Sequence, residues 1–205
     1  AITMTACALV VFLLFCLFHY LSPFVYQTND DLFLRMIASG EMSGEAESHL
    51  HYISYPAGLL ISTLYRLLPS VPWYGLFLYI MFGLAMTVAL YLLLQSGKNL
   101  RGRLLTIFLF CLFSYSFLFP YAVELQYTIV TGLTGCSALF LFIHAPLSDS
   151  FRESFKNHLL FFVFSACTFC IRNQVFFMFL PFVGMIALSK YLDAEKKQRK
   201  NLLYL

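Results

Sequence analysis

Six long apolar runs dominate the chain, at residues 6–24, 73–94, 104–119, 127–143, 159–171 and 175–188. The hydrocarbon core of a bilayer is about 30 Å thick, and a helix needs roughly 20 apolar residues to cross it. By that ruler each run is a candidate membrane-crossing helix, and the pattern predicts six crossings. The first run has no basic residue before it and no small-x-small signal after it. It is therefore read as a crossing rather than a cleaved signal peptide. The final residues, KNLLYL, turn apolar again. The expectation is that a seventh crossing begins there and that the chain is the N-terminal part of a longer protein.

The long interruption, residues 25–72, carries two shorter helical patterns. In DDLFLRMIASG, Leu32, Phe33, Met36 and Ile37 form an apolar stripe beside Arg35. In YPAGLLISTLYRLLP, residues 55–69, Ser62, Thr63 and Arg66 share a face, and Leu60, Leu64, Leu67 and Leu68 cover much of the rest. At 1.5 Å per residue this second helix reaches only about 20 Å, too short to span. Both are predicted to lie along the membrane interface, joined by EMSGEAESHLHYIS. A loop of this length in a compact membrane protein is usually functional. The predicted fold class is all-α: a polytopic transmembrane helical bundle, one domain over residues 1–205, with interfacial helices in the first outer loop.

Composition supports the membrane reading. Of 205 residues, 60% are hydrophobic and 11% charged, with a mean hydropathy of +0.79. Soluble domains carry about 25% charged residues. Charge then sets orientation, because cytoplasmic loops retain Lys and Arg. With six crossings, Lys98, Arg101, Arg103, Arg152, Lys156, Lys190, Lys196, Lys197, Arg199 and Lys200 fall on one side, 10 of the chain's 13 basic residues. That side is expected to be the cytoplasm. The other side receives Arg35, Arg66 and Arg172 with the acids Asp30, Asp31, Glu41, Glu45, Glu47 and Glu124. The polar chemistry of this multi-pass cell-membrane protein is thus expected on the extracytoplasmic face. The net charge of +3 comes from the basic loops and gives no reason to expect nucleic acid.

The candidate chemistry begins with the adjacent carboxylates Asp30 and Asp31. Thr28 can cap the helix, with Asp31 closing a capping box and pairing with Arg35 one turn later. Asp30 is left over. Its neighbour's charge and a partly dehydrated position favour a perturbed carboxylate, able to act as a general base or to hold a divalent cation. Glu124 emerges after the third crossing among apolar residues, where an ionisable group is costly and is functional or paired unless it points into water. Arg172 sits at a turn too short to leave the membrane surface. It can bind a phosphate with its planar fork, pair with Glu124, or snorkel to the surface.

His49 and His51 lie on one side of an extended HLH segment. They are either solvated or, with Asp30 and Glu124, part of a site for Mg, Mn or Zn, with His49 as the metal-ligating histidine. Arg66, His51 and Tyr55, on the same outer loop, join Arg172 as candidate substrate-binding residues.

In order, the chain has an N-terminal crossing, the acid pair NDD, and an interfacial helix ending in Gly40. The Tyr-Pro helix YPAGLLISTLYRLLP, an aromatic start to the second crossing in WYGLFLY, and Glu124 after the third crossing follow. This arrangement resembles the N-terminal module of the GT-C glycosyltransferases, which include protein O-mannosyltransferases and aminoarabinose transferases of lipid A. The resemblance covers roughly residues 6–190. It implies an enzyme that takes a sugar from a polyprenyl-phosphate carrier in the membrane lipid and transfers it to an acceptor hydroxyl, on a glycan, lipid or protein, at the outer face. It implies that Asp30 is the first-loop acid, catalytic base or metal ligand, with Asp31 as its neighbour, and that Glu124 is the acid of the second outer loop. Where several of these families have a basic residue and two prolines, this chain has Tyr55, Pro56 and Ala57.

The chemistry stands without the resemblance. Transfer from a phosphate leaving group needs a base near the acceptor hydroxyl and a cation or Arg to meet the departing charge. Two other classes compete. A transporter or flippase of a lipid-linked or small substrate predicts polar groups at mid-membrane, broken helices and an internal repeat; no repeat is visible, and the charges gather at one face. A non-catalytic scaffold predicts no convergence of acids. The six cysteines all fall in predicted crossings and read as small apolar residues, the C-x-x-C of Cys167 and Cys170 included. TGLTG, residues 131–135, offers small residues for helix packing.

Overall fold

The computed structural model describes residues 3–27, 29–95, 97 and 99–205, the side chains of Lys196 and Lys197 excepted. The elements follow in order as α1 (Met4–Leu21), β1 (Val25–Tyr26), α2 (Asn29–Ser39), α3 (Tyr55–Leu67), α4 (Trp73–Gln95) and α5 (Leu100–Phe113). A π-helical turn (Ser114–Leu118) leads into α6 (Phe119–Val123), β2 (Glu124–Leu125), α7 (Tyr127–His144), α8 (Phe151–Ile171), α9 (Asn173–Asp193) and α10 (Lys196–Leu203). The protein is an all-α bundle. Six helical stretches among the described residues are long and apolar enough to cross a membrane, with α5, the π turn and α6 forming one of them.

Local chemistry sets the helix ends. Thr3 accepts the Ala6 N–H at 3.2 Å to cap α1, and Asn99 accepts the Gly102 N–H at 2.7 Å to cap α5. Pro56 occupies the first turn of α3, where its missing N–H is not needed. After α2 the chain turns at Gly40, whose φ is +83°. A Cβ there would also stand 2.6 Å from the Glu45 carbonyl carbon, so glycine is required twice over.

α7 is the central helix, packed by α4, α8 and α9; α1 lies on α4 and also reaches α6. The TGLTG segment does the packing expected of it. Thr131 and Thr134 are fully buried, and a Cβ on Gly135 would lie 2.3 Å from the Phe179 ring of α9. Buried hydroxyls return to their own helix carbonyls, as Thr131 does to Tyr127 at 2.6 Å and Thr168 to Phe164 at 2.7 Å. Across helices, Ser137 donates to the Ala85 carbonyl at 3.1 Å, and the Thr168 and Thr134 hydroxyl oxygens stand 3.3 Å apart.

The outer surface is apolar. α9 buries none of its residues, and large side chains such as Phe12, Phe108, Phe177 and Met178 stand exposed. Such a surface suits hydrocarbon and is unsustainable over this extent in water. The chain is an integral membrane protein.

The two short helices of the first loop occur where the periodicity predicts them, with their leucine-rich faces outward as interfacial helices require. α2 buries Asp31, Leu34 and Ala38, leaving Leu32 and Phe33 exposed. α3 buries Ala57, Gly58, Ile61, Ser62 and Tyr65, while Leu59, Leu60, Leu67 and Leu68 face outward. In a membrane protein the leucine face turns to lipid, and small or polar residues mediate helix contact.

The crossings also run longer than their apolar cores. α8 starts at Phe151 and passes through FRESFKNH, and α9 continues from Asn173 to Asp193 through Pro181. Hydropathy measures the thickness of hydrocarbon, whereas a helix continues into the interface. At the end expected to be cytoplasmic, Lys190 donates to the Ala145 carbonyl at 2.6 Å and Asn201 of α10 to Ser148 at 2.9 Å.

Candidate functional site

At the opposite end of the bundle, β1 and β2 pair in parallel, Val25 with Glu124 and Tyr26 with Leu125. This sets the start of α2 beside the start of α7. Asp31 is fully buried there. Its Oδ1 accepts the Tyr74 hydroxyl at 2.7 Å and the Tyr127 backbone N–H at 3.1 Å. A carboxylate withdrawn from water needs such partners, and these come from α4 and the first turn of α7. Asp31 therefore joins three elements. The Tyr74 N–H in turn donates to the Tyr65 hydroxyl of α3 at 3.2 Å. Tyr26 packs against Tyr74 with ring centroids 5.7 Å apart. Burial pushes the Tyr26 and Tyr65 phenols above their ordinary range, so both are neutral hydrogen-bonding groups.

The capping box expected of Thr28 and Asp31 lies outside the described residues. Among the described residues, the ion pair that Arg35 makes is with Glu41 rather than the Asp31 expected. Arg35 reaches Glu41 at 2.5 Å, beyond the turn at Gly40.

Asp30 is exposed at the same helix start. It adjoins Asp31, which is tied to the Tyr127 N–H, and Arg172 reaches the neighbouring Thr128. Arg172 is the single extended residue between α8 and α9, with φ −156° and ψ 104°. That backbone break directs its side chain toward the first turn of α7. Its Nη1 donates to Thr128 Oγ1 and its Nε to Gln174 Oε1 at 3.3 Å. Its guanidinium carbon stands 5.1 Å from the Tyr127 ring centroid and 5.6 Å from that of Tyr52. Among the described residues, Nη2 makes no hydrogen bond.

α7 and α9 both begin here, and the N–H groups of a helix's first turn give that end a positive field. Together with Arg172 they make a neighbourhood suited to an anion. Asp30, exposed at the start of α2, is a solvated carboxylate at the same end of the bundle.

The long loop between α1 and α4 closes over this region. Ser54 donates both its N–H and its hydroxyl to the Cys170 carbonyl, each at 2.9 Å. Arg66 holds the loop from α3, donating to the Ala46 carbonyl at 2.7 Å. Tyr52, two residues before Ser54, has φ +68°, and its ring lies nearly parallel to that of Tyr127, at 6.1 Å and 15°. His51 meets Tyr52 edge-on at 5.1 Å, and Tyr55 packs against His49 at 5.0 Å.

His49 is engaged by Glu47, with Nδ1 to Oε1 at 2.8 Å. That hydrogen bond, aided by the N–H groups of His49 and Ser48, lowers the Glu47 carboxyl to about 2. Glu124 is exposed on β2. Neither of the two ion pairs among the described residues includes Glu124 or Arg172, so Arg172 does not take the Glu124 partner weighed for it.

The fold thus brings Asp30, Asp31 and Arg172 to one end of α7. It does not bring Asp30, Glu124 and His49 together: among the described residues no group of three His, Cys, Asp or Glu side chains is placed to hold a metal ion. Tyr52, Tyr74, Tyr127 and Thr128 are the members that sequence reasoning missed. A tyrosine inside an apolar run was the available signal for Tyr74, and a hydroxyl at the start of one for Thr128. Nothing local distinguishes Tyr52. No family model, curated protein or solved structure matches the chain.

Proposed function

We propose that this chain is a membrane glycosyltransferase of GT-C type, moving a sugar from a polyprenyl-phosphate-linked donor to an acceptor hydroxyl at the extracytoplasmic face. One observation carries the reading. Asp31 on α2, next to Asp30, accepts the Tyr127 N–H, and Arg172 between α8 and α9 donates to Thr128, so a carboxylate pair and an anion-seeking guanidinium lie at one helix start. That is the pairing a phosphate leaving group and a hydroxyl nucleophile require.

In this reading the acceptor oxygen attacks the anomeric carbon while Asp30 takes its proton. The bond from that carbon to the phosphate oxygen breaks, and its electron pair leaves with the phosphate. Arg172 Nη2 and the helix N-termini meet the charge that develops there. A positioned base contributes about 10²- to 10⁴-fold in rate. Asp31 takes no part in the chemistry; its Oδ1 already serves Tyr74 and Tyr127. Glu124, exposed on the same end, is available to orient the acceptor, as are His51 and Tyr55. Among the described residues, no three His, Cys, Asp or Glu side chains gather around Asp30 to ligate a divalent cation.

One observation favours transport of a lipid-linked substrate as the second reading. The third crossing is interrupted by the π-helical turn, where the buried Ser114 hydroxyl has no hydrogen-bond partner among the described residues, and interrupted helices mark many transporter sites. Proteoliposomes carrying the full-length protein and a radiolabelled sugar on polyprenyl phosphate separate the two. Transfer of label to an acceptor, with release of the lipid phosphate, supports the enzyme. Label that stays on its carrier and changes leaflet, abolished by Ser114→Leu, sinks it.

A further inference from the structure

We propose that Tyr52 is a positioning residue for Arg172, an aromatic wall that aims the guanidinium at the anion position beside α7. The inference rests on the reading of Arg172 as the phosphate-binding group and adds the residue that orients it.

Tyr52 has no local reason to adopt its backbone conformation. A φ of +68° is unfavourable for an aromatic residue, and strain of this kind persists where the surrounding structure over-determines it. The structure around it does so. Two residues on, Ser54 is fixed to the Cys170 carbonyl through both its N–H and its hydroxyl. Leu50, two residues earlier, is buried. Between these anchors the left-handed turn carries the Tyr52 ring, still exposed, to within 15° of parallel with Tyr127. The result is a pair of aromatic rings, one fixed on α7 and one delivered by the loop, with the Arg172 guanidinium within 6 Å of both.

A guanidinium held against two rings cannot swivel freely. Nη1 and Nε are committed to Thr128 and Gln174, and the rings fix the plane in which Nη2 projects. A side chain whose rotamers are already restricted loses less freedom when it binds an anion. Tyr52 is also the only member of the group that belongs to the first outer loop. Displacing that loop would release Arg172, and seating it would restore the aim.

The conformation itself supplies a test that separates aim from fold. Glycine adopts φ +68° without strain, so in Tyr52→Gly the relief of the backbone offsets the lost ring contacts, and the full-length protein should stay folded while the ring is removed. The probe is farnesyl phosphate, titrated into detergent-solubilised protein. Cation–π contacts of this kind predict binding about fivefold weaker in Tyr52→Gly, with wild-type binding retained in Tyr52→Phe and lost in Arg172→Ala. In ¹⁵N-arginine spectra, the Arg172 Nε–H signal should also lose its ring-current shift in Tyr52→Gly and keep it in Tyr52→Phe. Wild-type affinity in Tyr52→Gly alongside loss in Arg172→Ala overturns the positioning role alone. Unchanged binding in Arg172→Ala, or no binding by the wild type, overturns the phosphate reading of Arg172 and the inference with it.

Discussion

Removing the Asp31 carboxylate should damage the fold far more than removing its neighbour. In Asp31→Ala, the Tyr74 hydroxyl and the Tyr127 N–H both lose a buried acceptor. Each orphaned buried donor costs about 1–3 kcal/mol, so the variant should lose roughly 2–6 kcal/mol. Tyr74→Phe removes one hydrogen bond to a charged group and should cost about 1.5–3 kcal/mol. Exposed Asp30 is different: Asp30→Ala should stay within about 0.5 kcal/mol of wild type.

The two buried changes should not add. Once Asp31 is gone, Tyr74→Phe only deletes an orphan hydroxyl, so the double variant should be no worse than Asp31→Ala. The coupling energy should reach about 1.5–3 kcal/mol. Reversible unfolding in mixed micelles, monitored for all four proteins, measures the cycle. Equal stabilities of Asp31→Ala and Asp30→Ala, or strictly additive costs for Asp31 and Tyr74, would refute the three-way junction.

Other expectations follow from single contacts. Gly135→Ala drives a methyl into the Phe179 ring, 2.3 Å away, and should lower stability by about 1–3 kcal/mol by thermal unfolding; no change would mean that α7 and α9 are not in close contact. Gly40→Ala faces both a left-handed backbone and the Glu45 carbonyl carbon at 2.6 Å, and should cost at least about 1–3 kcal/mol. Glu47 titrates at about 2, below its ordinary 4.5, chiefly through its bond to His49. The contact therefore stabilises the loop above pH 4.5 and weakens as pH falls toward 2. A ¹³C titration of Glu47 checks this, and a midpoint near 4.5 would mean that the His49 contact is absent in solution.

The class of fold was legible because membrane thickness is written directly into apolar run length. The first-loop helices were legible too, since Gly40 and Pro56 punctuate them and their periodicity is clear. Their orientation was legible in part: the stripe of Leu32 and Phe33 faces outward, as an interfacial helix requires, but nothing in the pattern marks Asp31, with Leu34 and Ala38, as the buried face. The π-helical turn gives no local signal, because its residues, SYSFL, would equally suit an α-helix.

The site was half legible. Charge is scarce, so Asp30, Asp31 and Arg172 stand out in the sequence. Which of them meet depends on the parallel pairing of β1 with β2 and on the one-residue break between α8 and α9, and both are tertiary facts. Tyr52 enters through a left-handed turn that no sequence pattern announces. His49, read as a partner for Asp30, is taken by the nearby Glu47, a local contact that outcompeted the distant one.

The most direct measurement is sugar transfer from polyprenyl-phosphate donors in membranes carrying the full-length protein, comparing wild type, Asp30→Asn and Arg172→Ala at matched expression and matched unfolding midpoint. The expected result is transfer by the wild type and a loss of about 10²-fold or more in Asp30→Asn, the contribution of a positioned base, with Arg172→Ala also impaired. Undiminished transfer in Asp30→Asn, in a protein shown to be inserted and folded, would contradict the assignment of the catalytic carboxylate at the start of α7.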